Sequence, residues 1–437
     1  MIATVIGAGH VGLTTAVCLA SKGHKTYCVD RNKKIVRNIK DGITPFYEEG
    51  LEELLKDVLH KNMFKTATDL KKVLNTSDIV FICVGTPIKE NGTIDLSEVK
   101  KASIEVGNVL KHLQRQKWLL IVLKSTVIPG TTQNLVIPTL ETRSGKKAGE
   151  DFGVCVNPEF LREGQAIRDF LSPKDMGIVI GEINSTSGDI LFNLYKDFSC
   201  EILRTDLTSA EMIKYARNCY LAKDISFANE IANICQKLGI DYLKVKKGME
   251  MDRRIGSFLN AGVGFGGSCL PKDVRALISK AREIGVQPRI IKATLEANNS
   301  QPYVIIHLLK RFMKSLRNKR IAILGLSFKP YTDDVRDAPS FKIIEGLLSQ
   351  GASLNVYDPV AIENTRALFG NKISYFERAE KALSNSDACI IATEWPEFED
   401  SRIYRNMSGR IILDGRRILD PNSLPSDFKY VAIGYPL

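Results

Sequence analysis

The chain lacks the patterns that mark several classes of protein. Its nine cysteines are scattered without a Cys-x-x-Cys pair and only five histidines accompany them, so no metal site is expected. Nine is an odd number, which fits reduced thiols in a cytoplasm better than a disulfide framework. No apolar run reaches the length of a membrane span; the stretch from Trp118 to Leu123 suits a buried strand. A signal peptide is not expected, because Ile2 to Ile6 already reads as the first strand. The densest basic segments, 31–40 and 310–320, show no aromatic interleaving of an RNA-binding kind. The net charge of +11 therefore points to an anionic small molecule, with neither nucleic acid nor membrane as partner.

What is present is a soluble globular composition, 44% hydrophobic and 25% charged, on a 437-residue chain too long for one ordinary core. Residues 3–6, 25–29, 79–84, 119–123 and 153–156 are short apolar runs ending in turn residues, with helical patterns between them. From 209 to about 236 the pattern turns purely helical, with apolar Met212, Ile213, Ala216, Tyr220 and Leu221, which suits an inter-domain spine and a dimer surface. Strand-like runs return at 320–324, 353–357, 388–392 and 410–413. The expected fold is α/β: two Rossmann-like doubly wound parallel-sheet domains, 1–200 and 301–437, joined by a central helical domain, 201–300.

Gly7-Ala-Gly9-His10-Val11-Gly12 follows the first strand and opens a helix. Gly7 allows the tight turn, Gly9 lets the backbone approach a pyrophosphate, and Gly12 allows close helix packing. Asp30 ends the next strand, where a carboxylate bonds the adenosine ribose and repels a 2′-phosphate. NAD is therefore expected over NADP, although Arg31 next door could accept such a phosphate. Gly85-Thr86-Pro87 and Ser125-Thr126 follow later strands, so they face the ligand crevice of an open sheet. Their hydroxyls read equally well as cofactor contacts or as ordinary loop hydroxyls.

The run Gly264-Phe265-Gly266-Gly267-Ser268-Cys269-Leu270-Pro271-Lys272-Asp273 frames a cysteine with glycines and a Pro-Lys-Asp turn. Glycines would let a substrate reach the main chain, and Lys272 and a following helix would favour a thiolate. A buried thiol beside a tight turn is the competing reading.

Together with Asn157 to Gly164, Ser209 to Asn218, Asp252 to Gly256, Gly325 to Arg336 and Asp414-Gly-Arg416, these runs resemble the UDP-glucose 6-dehydrogenase family of nucleotide-sugar dehydrogenases. The match runs in order from residue 2 to about 417. The resemblance implies NAD-dependent oxidation of a sugar C6 alcohol to a carboxylate in two steps, with Cys269 capturing the aldehyde as a thiohemiacetal and then a thioester. It makes Lys214 and Asn218 the oxyanion donors, Glu159 an acid–base group, Thr126 a water-positioning group and Asp273 the carboxylate that orients or activates water. It assigns His10, Val11, Lys34, Glu163, Lys272 and Arg336 to the cofactor, beside the glycines and hydroxyls above. It assigns Phe160, Leu161, Arg162, Glu163, Asn260, Gly264, Phe265 and Gly266 to the sugar and phosphate pocket. Arg254, Lys329 and Arg416 would neutralise the diphosphate, Arg254 reaching across a homodimer interface.

Two departures bear on the substrate and cofactor. Lys34 stands one position early after Asp30, and Pro173-Lys-Asp-Met176 replaces the common Pro-Asp-Arg, with a methionine as in GDP-mannose 6-dehydrogenases. Asp252 to Gly256 instead follows the UDP-glucose pattern, and Ser268 replaces the histidine usual before the cysteine of UDP-N-acetylhexosamine dehydrogenases. A nucleotide-sugar-binding regulator without chemistry is the rival of another class, and intact Cys269, Lys214, Asn218 and Asp273 weigh against it. A one-step hydroxyacid dehydrogenase would need no cysteine.

Overall fold

Short runs of β-branched and apolar residues form the strands, and each sheet takes its order from the helical crossovers between them. The computed structural model describes residues 1–113, 118–256 and 258–436. The chain divides into two units, Met1–Arg217 and Asn218–Leu437.

The first unit holds β1 (Ile2–Ile6), β2 (Lys25–Val29), β3 (Phe64–Ala67), β4 (Ile79–Ile82), β5 (Leu120–Leu123), β6 (Gly153–Val156), β7 (Ile178–Glu182) and β8 (Ile202–Asp206), in the order β3-β2-β1-β4-β5-β6-β7-β8. The neighbours β1 and β4 make the topological switch point where a crevice opens at the carboxyl ends of the strands. The pairing is parallel except between β6 and β7, where Cys155 faces Glu182 in antiparallel register. β4 and β5 are buried along their whole length, the pattern of central strands covered on both faces.

The second unit holds β9 (Arg320–Leu324), β10 (Ser353–Tyr357), β11 (Ser374–Tyr375), β12 (Ala388–Ile391), β13 (Ile411–Asp414) and β14 (Lys429–Ala432), ordered β11-β10-β9-β12-β13-β14 and parallel throughout. The helices Leu270–Glu283 and Arg289–Phe312 precede this sheet.

The 209–236 pattern is one unbroken helix, Leu207–Lys237, and the boundary between the units falls inside it. Both of its faces are mixed in polarity, with Ala210, Tyr215, Ala222, Ala228 and Ala232 buried among polar groups. Glu211, Lys214 and Asn218 are buried, whereas Met212, Tyr220, Phe227 and Ile234 are exposed at intervals of about two turns. Buried charged side chains need partners and an exposed apolar stripe needs a cover, so this helix is shaped by more than core packing.

Candidate active site

In the first unit the glycine turn has the geometry a dinucleotide requires. Gly7 adopts a φ of +101°, and a Cβ there would lie 2.6 Å from the Cys83 carbonyl oxygen. A Cβ on Gly12 would lie 2.0 Å from the Gly7 oxygen, so the helix His10–Ser21 packs this closely only on glycine. A Cβ on Gly9 would meet nothing within 4 Å, which leaves open space where a pyrophosphate approaches. Asp30 accepts from the Ala8 amide at 2.8 Å through one carboxylate oxygen and from the Asn32 amide at 2.8 Å through the other. Each oxygen retains a lone pair for a ribose diol. Arg31 is engaged elsewhere, 2.7 Å from Glu105 and 3.4 Å from Glu98. Lys34 is exposed in the first turn of the helix Lys33–Lys40, which Asn32 caps.

The loop hydroxyls tie neighbouring strand ends together. Thr86 Oγ1 donates to the Thr126 carbonyl at 2.8 Å and Ser125 Oγ to the Val84 carbonyl at 2.7 Å. Gly85 and Pro87 are exposed, and Thr126 is half-buried. Glu211 anchors the segment that follows, accepting from the Gly130 amide at 2.5 Å and the Thr132 amide at 2.8 Å.

Glu159 and Lys214 form a buried ion pair, Oε1 to Nζ 2.8 Å, each side chain 5% exposed. Burial pushes the Glu159 carboxyl up, but the Lys214 charge and hydrogen bond, the Leu161 amide and the Lys124 charge outweigh it and hold it low. Lys124 lies directly behind. Its ammonium bonds Asn157 Oδ1 at 2.8 Å, an atom that also accepts from the Tyr195 hydroxyl at 2.9 Å. Burial pulls the Lys124 pKa down to about 8, against the pull of Cys83 and Glu159. Lys124, Asn157, Glu159 and Tyr195 line a cavity of about 40 Å³, large enough for ordered water. Phe160 lies under two cations, with the Arg217 guanidinium carbon 3.7 Å and Lys214 Nζ 5.5 Å from the ring centre. Arg217 also donates to the Met176 carbonyl at 2.9 Å. Arg162 is committed to Asp169 through contacts of 2.7 and 3.0 Å.

In the second unit Cys269 caps the helix Leu270–Glu283, and helix N-termini favour a thiolate. Asp273 is 1% exposed and clamped: Asn218 Nδ2 donates to Oδ2 at 2.6 Å, and Lys272 Nζ lies 2.5 Å from Oδ1. Asp273 N donates to the Cys269 carbonyl at 2.9 Å, so the thiol and this carboxylate sit on one helical turn. The other cysteines read as structural. All are buried except Cys200, and burial pushes Cys83 and Cys219 up to about 12.

Around the glycines of this run the neighbouring protein is close. A Cβ on Gly266 would lie 2.4 Å from the Asp337 oxygen and one on Gly267 2.8 Å from the Phe328 ring, so the close neighbour is the 328–337 loop. A Cβ on Gly264, at φ +109°, would lie 2.9 Å from Asn298 Oδ1. The run is held from both sides, with Asn298 bonding the Phe265 amide and carbonyl, and Asn229 and Gln301 bonding Gly262.

Arg416 reaches the Gly264 carbonyl at 3.3 Å, the Ala392 carbonyl at 2.8 Å and Glu394 at 3.1 Å. Lys329 Nζ lies 5.7 Å from the Phe328 ring centre. Arg336 is bidentate on Asp334. Asn260 is exposed and takes Lys246 at 2.6 Å. Arg254 stands apart from this group, its side chain 89% exposed and bonded to Asp252.

Comparison with known proteins decides the family. Residues 1–199 match the NAD binding domain of the UDP-glucose/GDP-mannose dehydrogenase family, 208–300 its central domain and 322–421 its UDP binding domain. The chain belongs to the UDP-glucose/GDP-mannose dehydrogenase family. It is 41% identical to the UDP-glucose 6-dehydrogenase AglM of Haloferax volcanii over 95% of this chain and 96% of that one. It is 40% identical to TuaD of Bacillus subtilis, also a UDP-glucose 6-dehydrogenase, over 99% of this chain and 93% of that one. The solved structure of a UDP-glucose dehydrogenase from Pyrobaculum islandicum superposes with a TM-score of 0.92 at 37% identity, covering 99% of this chain and 98% of that one.

Within this family member, sequence reasoning passed over four residues that surround the expected groups: Lys124, Asn157, Arg217 and Glu48. Lys124 had a readable signal, a cation directly after the buried run Leu119–Leu123. Arg217 stands one residue before Asn218 and supplies a guanidinium beside the Met176 carbonyl.

Proposed function

We propose that this chain is an NAD-dependent UDP-glucose 6-dehydrogenase that oxidises C6 of the sugar to the carboxylate of UDP-glucuronate. The observation that carries the reading is Cys269 at a helix N-terminus, one turn from a buried Asp273 clamped by Asn218 and Lys272. Such a thiol adds to an aldehyde, and the clamped carboxylate suits holding a water for hydrolysis.

The cofactor seat is Gly7 to Gly12 with Asp30, whose open approach at Gly9 and available carboxylate lone pairs fit a dinucleotide. NAD, when bound, accepts a hydride in each oxidation. Glu159, kept ionised by Lys214, takes the C6 hydroxyl proton directly or through water. The Cys269 thiolate then forms an S–C bond to the aldehyde carbon, and the carbonyl pair becomes an alkoxide stabilised by Lys214 and Asn218. Loss of the second hydride yields a thioester. Water held by Asp273 adds to it, the C–S bond breaks, and the thiolate is restored. Arg416, Lys329 and a partner chain's Arg254 neutralise the diphosphate.

The exposed Met212, Tyr220, Phe227 and Ile234 stripe and the exposed Arg254 support a homodimer. Nine free cysteines support a reducing, cytoplasmic setting. No helix among the described residues is long and apolar enough to cross a membrane. We read domains at 1–200, 201–300 and 301–437, a reading supported by family matches over 1–199, 208–300 and 322–421. A substrate panel tests the reading: NADH formation is expected to be fastest by kcat/KM with UDP-glucose, and preference for GDP-mannose or a UDP-N-acetylsugar overturns it.

A further inference from the structure

Glu48 precedes the helix Leu51–His60, and its side chain is fully buried. Oε2 accepts from the Gly164 amide at 2.7 Å and lies 2.8 Å from His10 Nε2, while Oε1 accepts from the Ala166 amide at 2.7 Å. These partners come from two parts of the expected machinery. His10 is the first residue of the helix behind the dinucleotide turn, and Gly164 closes the segment that contains Phe160 and Glu163. Phe46 packs on the imidazole with ring centres 4.6 Å apart, so the histidine is held from two sides. A buried carboxylate costs several kcal/mol unless its oxygens are bonded, and these side-chain bonds of Glu48 each join one of the two segments.

We propose that Glu48 is a positioning residue that clasps the dinucleotide turn to the 160–166 segment, so that occupancy of the turn and the alignment of Glu163 and Phe160 are coupled. The proposal rests on the cofactor placement given above. His10 makes the clasp sensitive to pH. Burial pulls its pKa down, but the Glu48 hydrogen bond and the facing charges of Glu163, Glu48 and Glu159 prevail and raise it above its ordinary value. Protonated, His10 gives Glu48 a charge-assisted bond; neutral, it keeps an uncharged bond in the Nε2–H tautomer alone. The clasp is complete below the ordinary histidine range and loosens as pH rises through the raised pKa.

The test is NADH binding by fluorescence, with KM and kcat for NAD, from about pH 6 to about pH 9, on the full enzyme and its variants. Glu48→Gln turns an amide NH2 toward donors whichever way it lies. It is expected to weaken NADH roughly tenfold, to raise the KM for NAD more than it lowers kcat, and to abolish the loss of affinity with rising pH. His10→Asn keeps both backbone bonds of Glu48 and is expected to abolish the same pH dependence, so it decides the matter if Glu48→Gln fails to fold. Affinity within about twofold of the parent together with an unchanged pH profile overturns the clasp, whatever happens to Tm. Gly9→Val separates the two ideas: if it spares NADH binding, the cofactor placement falls and the clasp with it. If it abolishes binding while the Glu48 and His10 variants behave like the parent, the clasp alone falls.

Discussion

The six-stranded sheet repeats the order of the first sheet's first six strands and its switch point, yet the two differ in the turn after the first strand. β1 opens onto a glycine turn whose middle residue faces empty space, and a helix starts at once at His10. β9 opens onto Gly325, as hindered as Gly7, but Ser327 stands where Gly9 does in the first turn, and the next helix waits until Pro339. The acid at the end of the second strand differs as well. Asp30 is half-buried and bonded to two amides. Asp358 is fully buried and accepts from the amides of Leu326, Ser327, Val360 and Ala361, the Ser327 hydroxyl and the Trp395 indole. One carboxylate keeps capacity for a ligand; the other spends it on holding its own loop. Shared topology therefore does not imply a shared dinucleotide seat, and the role proposed for Lys329 and Arg416 does not require one.

Paired substitutions break or sharpen this contrast. Asp358→Ala strands several buried donors and is expected to cost about 3–5 kcal/mol in chemical unfolding, with the folded fraction still binding NADH. Gly9→Val is the reverse case, with NADH affinity falling at least about 100-fold and stability changing by less than about 1 kcal/mol. If both variants behave alike, the two turns are not functionally distinct. Asp30→Ala is expected to weaken NAD by about tenfold and to narrow its preference over NADP, read from KM values for both.

A smaller effect separates buried carboxylates of the two units. Glu159 is held below its ordinary 4.5 by Lys214 despite burial, whereas burial raises Asp414, which has no cation as a leading influence. The Glu159 contribution is therefore present above the ordinary carboxylate value and is lost as pH falls through the depressed one. Glu159→Gln is expected to flatten the acid limb of the stability profile below about pH 5, by about 1–2 kcal/mol. An unchanged acid limb contradicts the pairing.

Much of the first sheet was legible because glycine spacing, a strand end and an acid are local signals, and the structure has a strand before Gly7, a helix from His10 and Asp30 after β2. The antiparallel β7 and the edge strands β3 and β8 were not legible, since β8 is never fully buried along its length and its pairing is non-local. Lys214 and Asn218 were placed on one helix correctly, but the apolar Met212 and Tyr220 proved to be its exposed positions. Periodicity alone does not say which face meets protein when the buried face mixes charged groups with small apolar ones. Glu48 could not be found from sequence, because its partners lie 38, 116 and 118 residues away. Cys269 is ambiguous as a ten-residue run alone and becomes the expected nucleophile through the resemblance of the surrounding motifs; the structure adds its helix-cap position one turn from the clamped Asp273.

The most direct measurement is the stoichiometry of NADH formed to UDP-glucose consumed, for the parent and for Cys269→Ser. The account predicts two NADH per sugar with no free aldehyde in the parent, and loss of complete turnover to the carboxylate in the variant. One NADH per sugar, or a variant that keeps full two-step activity, would contradict it.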